Sequence, residues 1–362
     1  MPDPQLARTR LVAQSLTTRP HDNPHAAVAA LLAMQGQDLP GVIASAALRT
    51  RSGDVDDVLA ELCAGRLVRG YPMRGTVFLM AAADVLWVSE LCAAPALRAA
   101  ANRRHHLGLD QAKVDRAREL AVEVLSVEPN GLPRSEFLAR WEADGQPTAG
   151  GVGYHLLAHL IGEGTLCHGA WNGTDQNIAW TRTWVPEGSD LAGTFNGDRT
   201  AGIAELLRRY LVGHGPATIR DFAWWTKLPL RDIRAALPEA TMDLEDDGAD
   251  EPSYWRAGLL DEVAAVGKDA SRPLLLPGFD EFILGYQDRT FAMTAEQEVL
   301  LVPGRNGVFR RSVVVDGAVK GFWRRAGRPG SRTLEVEAFT PIPAATQAGL
   351  ERLFGSFPVV TD

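Results

Sequence analysis

One plan is written into this chain three times. Apolar residues fall at helical spacing in three short runs, then two β-prone segments flank a turn, with glycine or proline at the breaks. A sequence of that kind folds into helix–helix–helix–hairpin units, the plan of a winged helix-turn-helix. The first copy predicts a helix over 26–34 and a second from Asp38 as N-cap, with Pro40 in its first turn, to about Arg49. A third helix over 55–64 is ended by Gly65, and strands at 66–71 and 76–80 are joined by 72–75. The second copy predicts helices over 114–126, 132–141 and 153–161, then strands at 166–170 and 177–183. The third predicts helices over 203–212, 218–225 and 230–237 and a short strand. Its segment GPATIRDFAWWTKLPLRDIRAAL is the clearest helix-turn-helix, with Ile219, Phe222, Ile233 and Leu237 on apolar faces.

Past residue 262 the pattern turns to β. Strands are predicted at 298–302, 308–315, 319–325 and 333–339, with Asn306-Gly307 and Asp316-Gly317 as the strongest two-residue hairpin signals. A last helix covers 344–354. The expected fold class is α+β: three tandem winged helix-turn-helix units followed by a C-terminal antiparallel β meander or barrel. The expected segments are 1–100, 101–195, 196–262 and 263–362.

The composition, 46% hydrophobic and 23% charged over 362 residues, is that of an ordinary globular protein. No apolar run approaches the ~20 residues that span a bilayer, and the opening MPDPQLARTR has no apolar signal segment. A cytoplasmic protein without a membrane partner is therefore expected. Cys63, Cys92 and Cys167 lack CxxC spacing and are expected as small buried core residues.

The net charge of −8 argues against a nucleic-acid partner only if it is spread evenly, and it is not. Residues 239–262 hold nine carboxylates against Arg256, whereas 305–332 hold seven arginines and Lys320 against Asp316. Lysines number only four, so the cationic chemistry is mostly arginine, whose planar fork matches phosphate oxygens. The DNA-contact candidates are Arg310, Arg311, Lys320, Arg324 and Arg325, with Arg49, Arg51 and Arg74 from the first repeat.

No GxSxG, HExxH, P-loop or kinase signature occurs, and the eight histidines show no metal-ligand spacing. The run Arg103-Arg104-His105-His106 reads as a solvated helix face. No metal or cofactor is expected. Gln35-Gly36-Gln37, between the first two helices, offers two amides that can point the same way and grip one water molecule. Phe279-Asp280-Glu281-Phe282 with Asp288-Arg289 is read as structural, one acid capping a turn or pairing with Arg289. Trp224 and Trp225 point about 100° apart on a helix, so at least one is core.

The chain resembles the AlkZ/YcaQ-type winged-helix DNA glycosylases over nearly its whole length. The resemblance is carried by QGQ, LVRGYPMRGTVFLMAAADVLWV, GPATIRDFAWWTKL, LLLPGFDEFILGYQDR and NGVFRRSVVVDGAVKGFWRR. Glutamine at both Gln35 and Gln37 resembles the AlkZ branch; the other branch has aspartate at the position of Gln37. The middle residue is often apolar or aromatic in the family, and Gly36 departs from that, which bears on substrate preference more than on reaction type. The resemblance implies a monofunctional, monomeric DNA glycosylase that hydrolyses the N-glycosidic bond of N7-alkylated purines in double-stranded DNA. Gln35 and Gln37 would be its catalytic residues, a β-hairpin would approach the lesion, and no metal or cofactor is implied. Bulky adducts, interstrand crosslinks and self-resistance in antibiotic-producing actinobacteria are the associated roles.

That chemistry suits two amides. An N7-alkylated purine is already cationic and leaves readily, so the enzyme must mainly hold water on the C1′ side. Positioning alone supplies several kcal/mol, while a neutral amide forgoes the ~10²–10⁴-fold that a general base contributes. The alternative from another class is a non-enzymatic winged-helix protein, a regulator or lesion-shielding factor. Such a regulator would dimerise on a palindromic site.

Overall fold

The computed structural model describes residues 2–303 and 307–360; the expected turn at Asn306-Gly307 therefore lies partly outside the described residues, at Asn306. Backbone contacts divide the chain into two compact units. One comprises Met1–Val58, Leu207–Trp224 and Ala240–Asp362, the other Leu59–Leu206 and Trp225–Glu239. Neither is a single stretch of chain.

The second unit carries two of the expected hairpins. Leu67–Met73 pairs antiparallel with Thr76–Ala81, and Leu166–Trp171 with Gln176–Trp180. They join edge to edge, with Arg69 opposite His168, so the two hairpins share one sheet. The first turn takes Arg74 at φ +56 and Gly75 at φ +69, the two left-handed positions that a tight hairpin needs. Against the other hairpin pack the helices Gln111–Leu125, Arg134–Ala143 and Val152–Gly162. Val114, Ala117, Ala121 and Leu125 recur at three- and four-residue steps and meet Phe137, Trp141, Leu156 and Leu160 in one core. Here the expected helices and strands recur within a few residues of their predicted bounds.

In the first unit, four antiparallel strands run in the order Thr333–Ala338, Ala318–Ala326, Ser312–Val315, Leu274–Leu276. Asp316 (φ +56) and Gly317 (φ +75) form the turn that their sequence predicts. The final helix, Ala344–Gly355, lays Leu350 on Leu275, Val313 and Trp323. A smaller sheet orders Ala217–Thr218, Ser253–Arg256 and Leu244–Asp246.

Three expectations need correction. The segment predicted as a strand at 298–302 belongs to a helix, Ala295–Leu301, started by a reciprocal capping box between Thr294 and Gln297. The strand predicted at 308–315 is confined to Ser312–Val315. Cys63 is exposed; Cys92 and Cys167 are buried, and burial pushes both thiols up to about 12. Of the tryptophan pair, Trp225 is fully buried, while Trp224 lies half-buried with the Arg289 guanidinium 5.2 Å from its ring. Among the described residues no helix is long and apolar enough to cross a membrane.

Candidate active site

The path to the glutamine pair begins with the helix Pro24–Leu31, whose N-terminus is capped by the Asn23 side chain accepting from the Ala26 N–H at 2.8 Å. The helix stops at Leu32, which adopts φ +66 and ψ −53. A residue with a β-carbon is strained there by about 1–3 kcal/mol, and such strain persists only where packing imposes it. The Leu32 side chain is completely buried. The chain then runs extended through Ala33–Gln35. Gln35 is buried and Gln37 exposed, and Gln35 Nε2 donates to Gln37 Oε1 at 3.4 Å. The two amides are thus unequal: the inner one orients the outer one, and the outer one faces solvent.

Behind the pair lies a buried polar network. Glu281 Oε1 accepts the Gln35 backbone N–H at 2.7 Å, and its Oε2 lies 3.5 Å from His214 Nε2. Both side chains are fully buried. His214 stacks on Tyr210 at 4.5 Å between ring centroids, and the Tyr286 hydroxyl donates to the His214 carbonyl at 2.7 Å. Gln14 Nε2 donates to the Glu281 carbonyl at 3.2 Å and reaches the Tyr286 hydroxyl at 3.1 Å. The neighbouring carboxylate, Asp280, receives both terminal nitrogens of Arg49 at 2.9 Å each, as well as the Ser45 hydroxyl and the Phe282 N–H. Burial drives the Asp280 carboxyl upward, but the Arg49 charge and these hydrogen bonds outweigh it and hold it below the ordinary aspartate value.

In front of the pair is an open groove of about 1050 Å³. Gln37, Asp38, Gly278 and Phe279 line it, together with Phe309, Phe322 and Trp323 and the arginines Arg310, Arg311 and Arg324. Arg310 lies 4.1 Å over the Phe322 ring and pairs with Glu337. Arg311 lies 5.3 Å over Trp323, and Arg324 pairs with Glu335. Phe322 and Trp323 are buried beneath these arginines, so the half-buried Phe279 and Phe309 are the aromatic faces on which a planar base can stack, beside cations held by exposed pairs. Such pairs are worth only ~0–1 kcal/mol, so a phosphate can compete for their arginines.

The sequence model of the DNA glycosylase AlkZ-like family matches residues 28–357 of this chain. The chain belongs to the AlkZ-like DNA glycosylase family. An interstrand DNA cross-link repair glycosylase from Streptomyces sahachiroi is 26% identical over 376 residues, spanning 96% of this chain and 97% of that protein. The solved structure of Streptomyces sahachiroi DNA glycosylase AlkZ superposes over 100% of both chains, with a TM-score of 0.73 at 21% identity, which establishes a shared mixed α/β fold. The protein is accordingly an enzyme, a DNA glycosylase of DNA repair.

For this AlkZ-like glycosylase the site differs in several places from the sequence-based expectation. Arg49 is fully buried against Asp280 and cannot reach a phosphate, so its place among the DNA-contact candidates is corrected. The acidic doublet at 280–281 is structural as expected, and Asp280 caps the short helix Glu281–Leu284. Its cationic partner is Arg49 and not Arg289, which pairs with Glu298 at 2.6 Å. Arg51 is exposed and lies 3.2 Å from Asp22. In the second unit, Arg74 lies 5.2 Å over the Phe78 ring. Lys320 and Arg325 are half-buried on the strand Ala318–Ala326. Gln14 and His214 escape sequence reasoning altogether, since nothing local marks a polar side chain whose partners lie 267 residues away, for Gln14 and Glu281, or 72, for His214 and Tyr286.

Proposed function

We propose that this glycosylase hydrolyses the N-glycosidic bond of N7-alkylated, cationic purines in double-stranded DNA, with Gln35 and Gln37 positioning the attacking water. The observation that carries this is the exposed Gln37 amide, braced by buried Gln35 at the rim of a groove with aromatic and cationic walls. In this reading the base departs neutral, and water held by the Gln37 amide adds at C1′. An amide does not take a proton near neutral pH, so the pair acts by orientation, and a base such as uracil, which leaves as an anion and not as a neutral purine, is a poor substrate.

The groove is open, which suits bulky adducts, and the relative named for cross-link repair supports extending the substrate range to interstrand crosslinks. Self-resistance to a DNA-alkylating natural product is the corresponding biological role. The three helix–hairpin repeats are read as tandem winged-helix units, with the protein acting as a monomer. Arg51, Arg74, Arg310, Arg311, Lys320, Arg324 and Arg325 are proposed as phosphate contacts.

A duplex with a single N7-methylguanine, incubated with enzyme and then cleaved at abasic sites by alkali, tests the proposal. Strand breaks are expected with wild type and a fall of at least tenfold with Gln37→Ala. Cleavage of a uracil-containing duplex as fast as the methylated one would overturn it.

A further inference from the structure

We propose that Asp38 is a third catalytic residue: its carboxylate faces the positive charge that develops on the deoxyribose and takes the proton of the attacking water. The inference rests on the reaction proposed above, which releases one proton from the attacking water. The C1′–N9 bond breaks with its electron pair going to the cationic purine, which leaves neutral. Water oxygen bonds to C1′, and one proton must depart. Neither Gln35 nor Gln37 can accept it.

Asp38 directly follows Gln37 and lines the same groove. It occupies the N-cap of the helix Leu39–Ala47, at φ −95 and ψ 101. An N-cap aspartate ordinarily accepts the N–H of the second or third helical residue. Here the second is Pro40, which has no N–H, and the carboxylate makes no cap hydrogen bond with the third, Gly41. Two glycines shape its surroundings. A β-carbon at position 41 would stand 2.6 Å from Asp38 Oδ2, and one at 278 would stand 2.7 Å from the Phe309 carbonyl and 3.9 Å from Asp38 Oδ2. The other carboxylates of the groove, Glu335 and Glu337, are neutralised by Arg324 and Arg310. Among the described residues the Asp38 carboxylate has no hydrogen-bond or ion-pair partner, its backbone carbonyl alone accepting from the Val42 N–H at 2.9 Å, so the carboxylate stays available to a cation in the groove.

The test uses the full chain and Asp38→Asn, which keeps the shape and removes the charge. Single-turnover excision of N7-methylguanine is expected to fall by about 10²–10⁴-fold, the range for a lost proton acceptor. Binding is then compared on duplexes holding a cationic pyrrolidine abasic analogue or its neutral tetrahydrofuran counterpart. Wild type should favour the cation, as expected of a site complementary to the transition state. Asp38→Asn should bring the ratio towards one, and Asp38→Glu should restore part of it. A merely structural role would weaken both complexes alike. An unchanged ratio in Asp38→Asn, or no preference in wild type, overturns the role of Asp38. A wild type that binds the cation selectively yet leaves N7-methylguanine intact defeats the proposed substrate and not the role of Asp38.

Discussion

Arg49 and Asp280 show what a single buried charge pair imposes. Both are completely removed from water, and each leaves the other stranded if it is removed. Asp280→Ala should therefore destabilise the protein by about 3–5 kcal/mol in urea unfolding, while a paired apolar replacement of both residues should recover most of that. The sign of the pH dependence follows from the depressed carboxyl. Its contribution to stability is complete above the unfolded aspartate value near ~4 and is lost as pH falls through the lower folded value. Unfolding free energies measured between neutral pH and pH 3 should thus fall more steeply for wild type than for Asp280→Ala. From the sequence, Arg49 reads as a phosphate contact because arginine suits phosphate; its partner sits 231 residues away, where no spacing rule reaches. Gln35 and Gln37 are singled out in the sequence by the family resemblance more than by their own spacing, and the burial of one beside the exposure of the other is legible only in the fold.

At the level of elements, periodicity and punctuation carry most of the fold. The helices of the second repeat and the Asp316-Gly317 hairpin follow from local residues alone. The segment Ala295–Leu301 shows the limit: a short apolar run reads as a strand, and only the reciprocal Thr294–Gln297 capping box marks it as a helix. The helix Pro24–Leu31 has a further constraint from outside itself. A β-carbon at Gly213 would lie 2.5 Å from the Ala30 carbonyl and 3.2 Å from the Leu31 side chain. Gly213→Val should therefore push on the element that delivers Gln35. The expected result is a stability loss of about 1–3 kcal/mol together with slower excision, read by denaturation and single-turnover assay on the same sample. Normal excision in a destabilised Gly213→Val protein would separate the packing from the chemistry.

For the molecule as a whole, charge distribution matters more than the sum. The sequence concentrates carboxylates at 239–262 and arginines at 305–332, and the groove draws its cations from the latter. As proposed phosphate contacts, Arg310 and Arg324 would exchange a glutamate for a phosphate on binding, so their net contribution should be smaller than that proposed for Lys320 or Arg325. Replacing Lys320 or Arg325 by alanine should lower the log–log salt slope of DNA binding by about 0.9 for each phosphate that the variant no longer neutralises. The effect should be equal on damaged and undamaged duplexes; a change confined to damaged DNA would place the residue at the lesion instead.

The hydrogen bond from Gln35 to Glu281 joins residues 246 positions apart. During synthesis at ~5–20 residues per second, Gln35 is added to the chain about 12–50 s before Glu281, whose carboxylate anchors it. Until then the nascent chain holds Ala33–Gln35 without its anchor, and the stretch from Leu32 onward lacks part of the packing that imposes its strained turn. On the roles proposed for Gln35 and Gln37, catalytic competence is therefore among the last properties this protein acquires, even though those residues lie near the start of the chain. A stalled or C-terminally truncated product would carry the QGQ motif without the carboxylate that holds the Gln35 N–H.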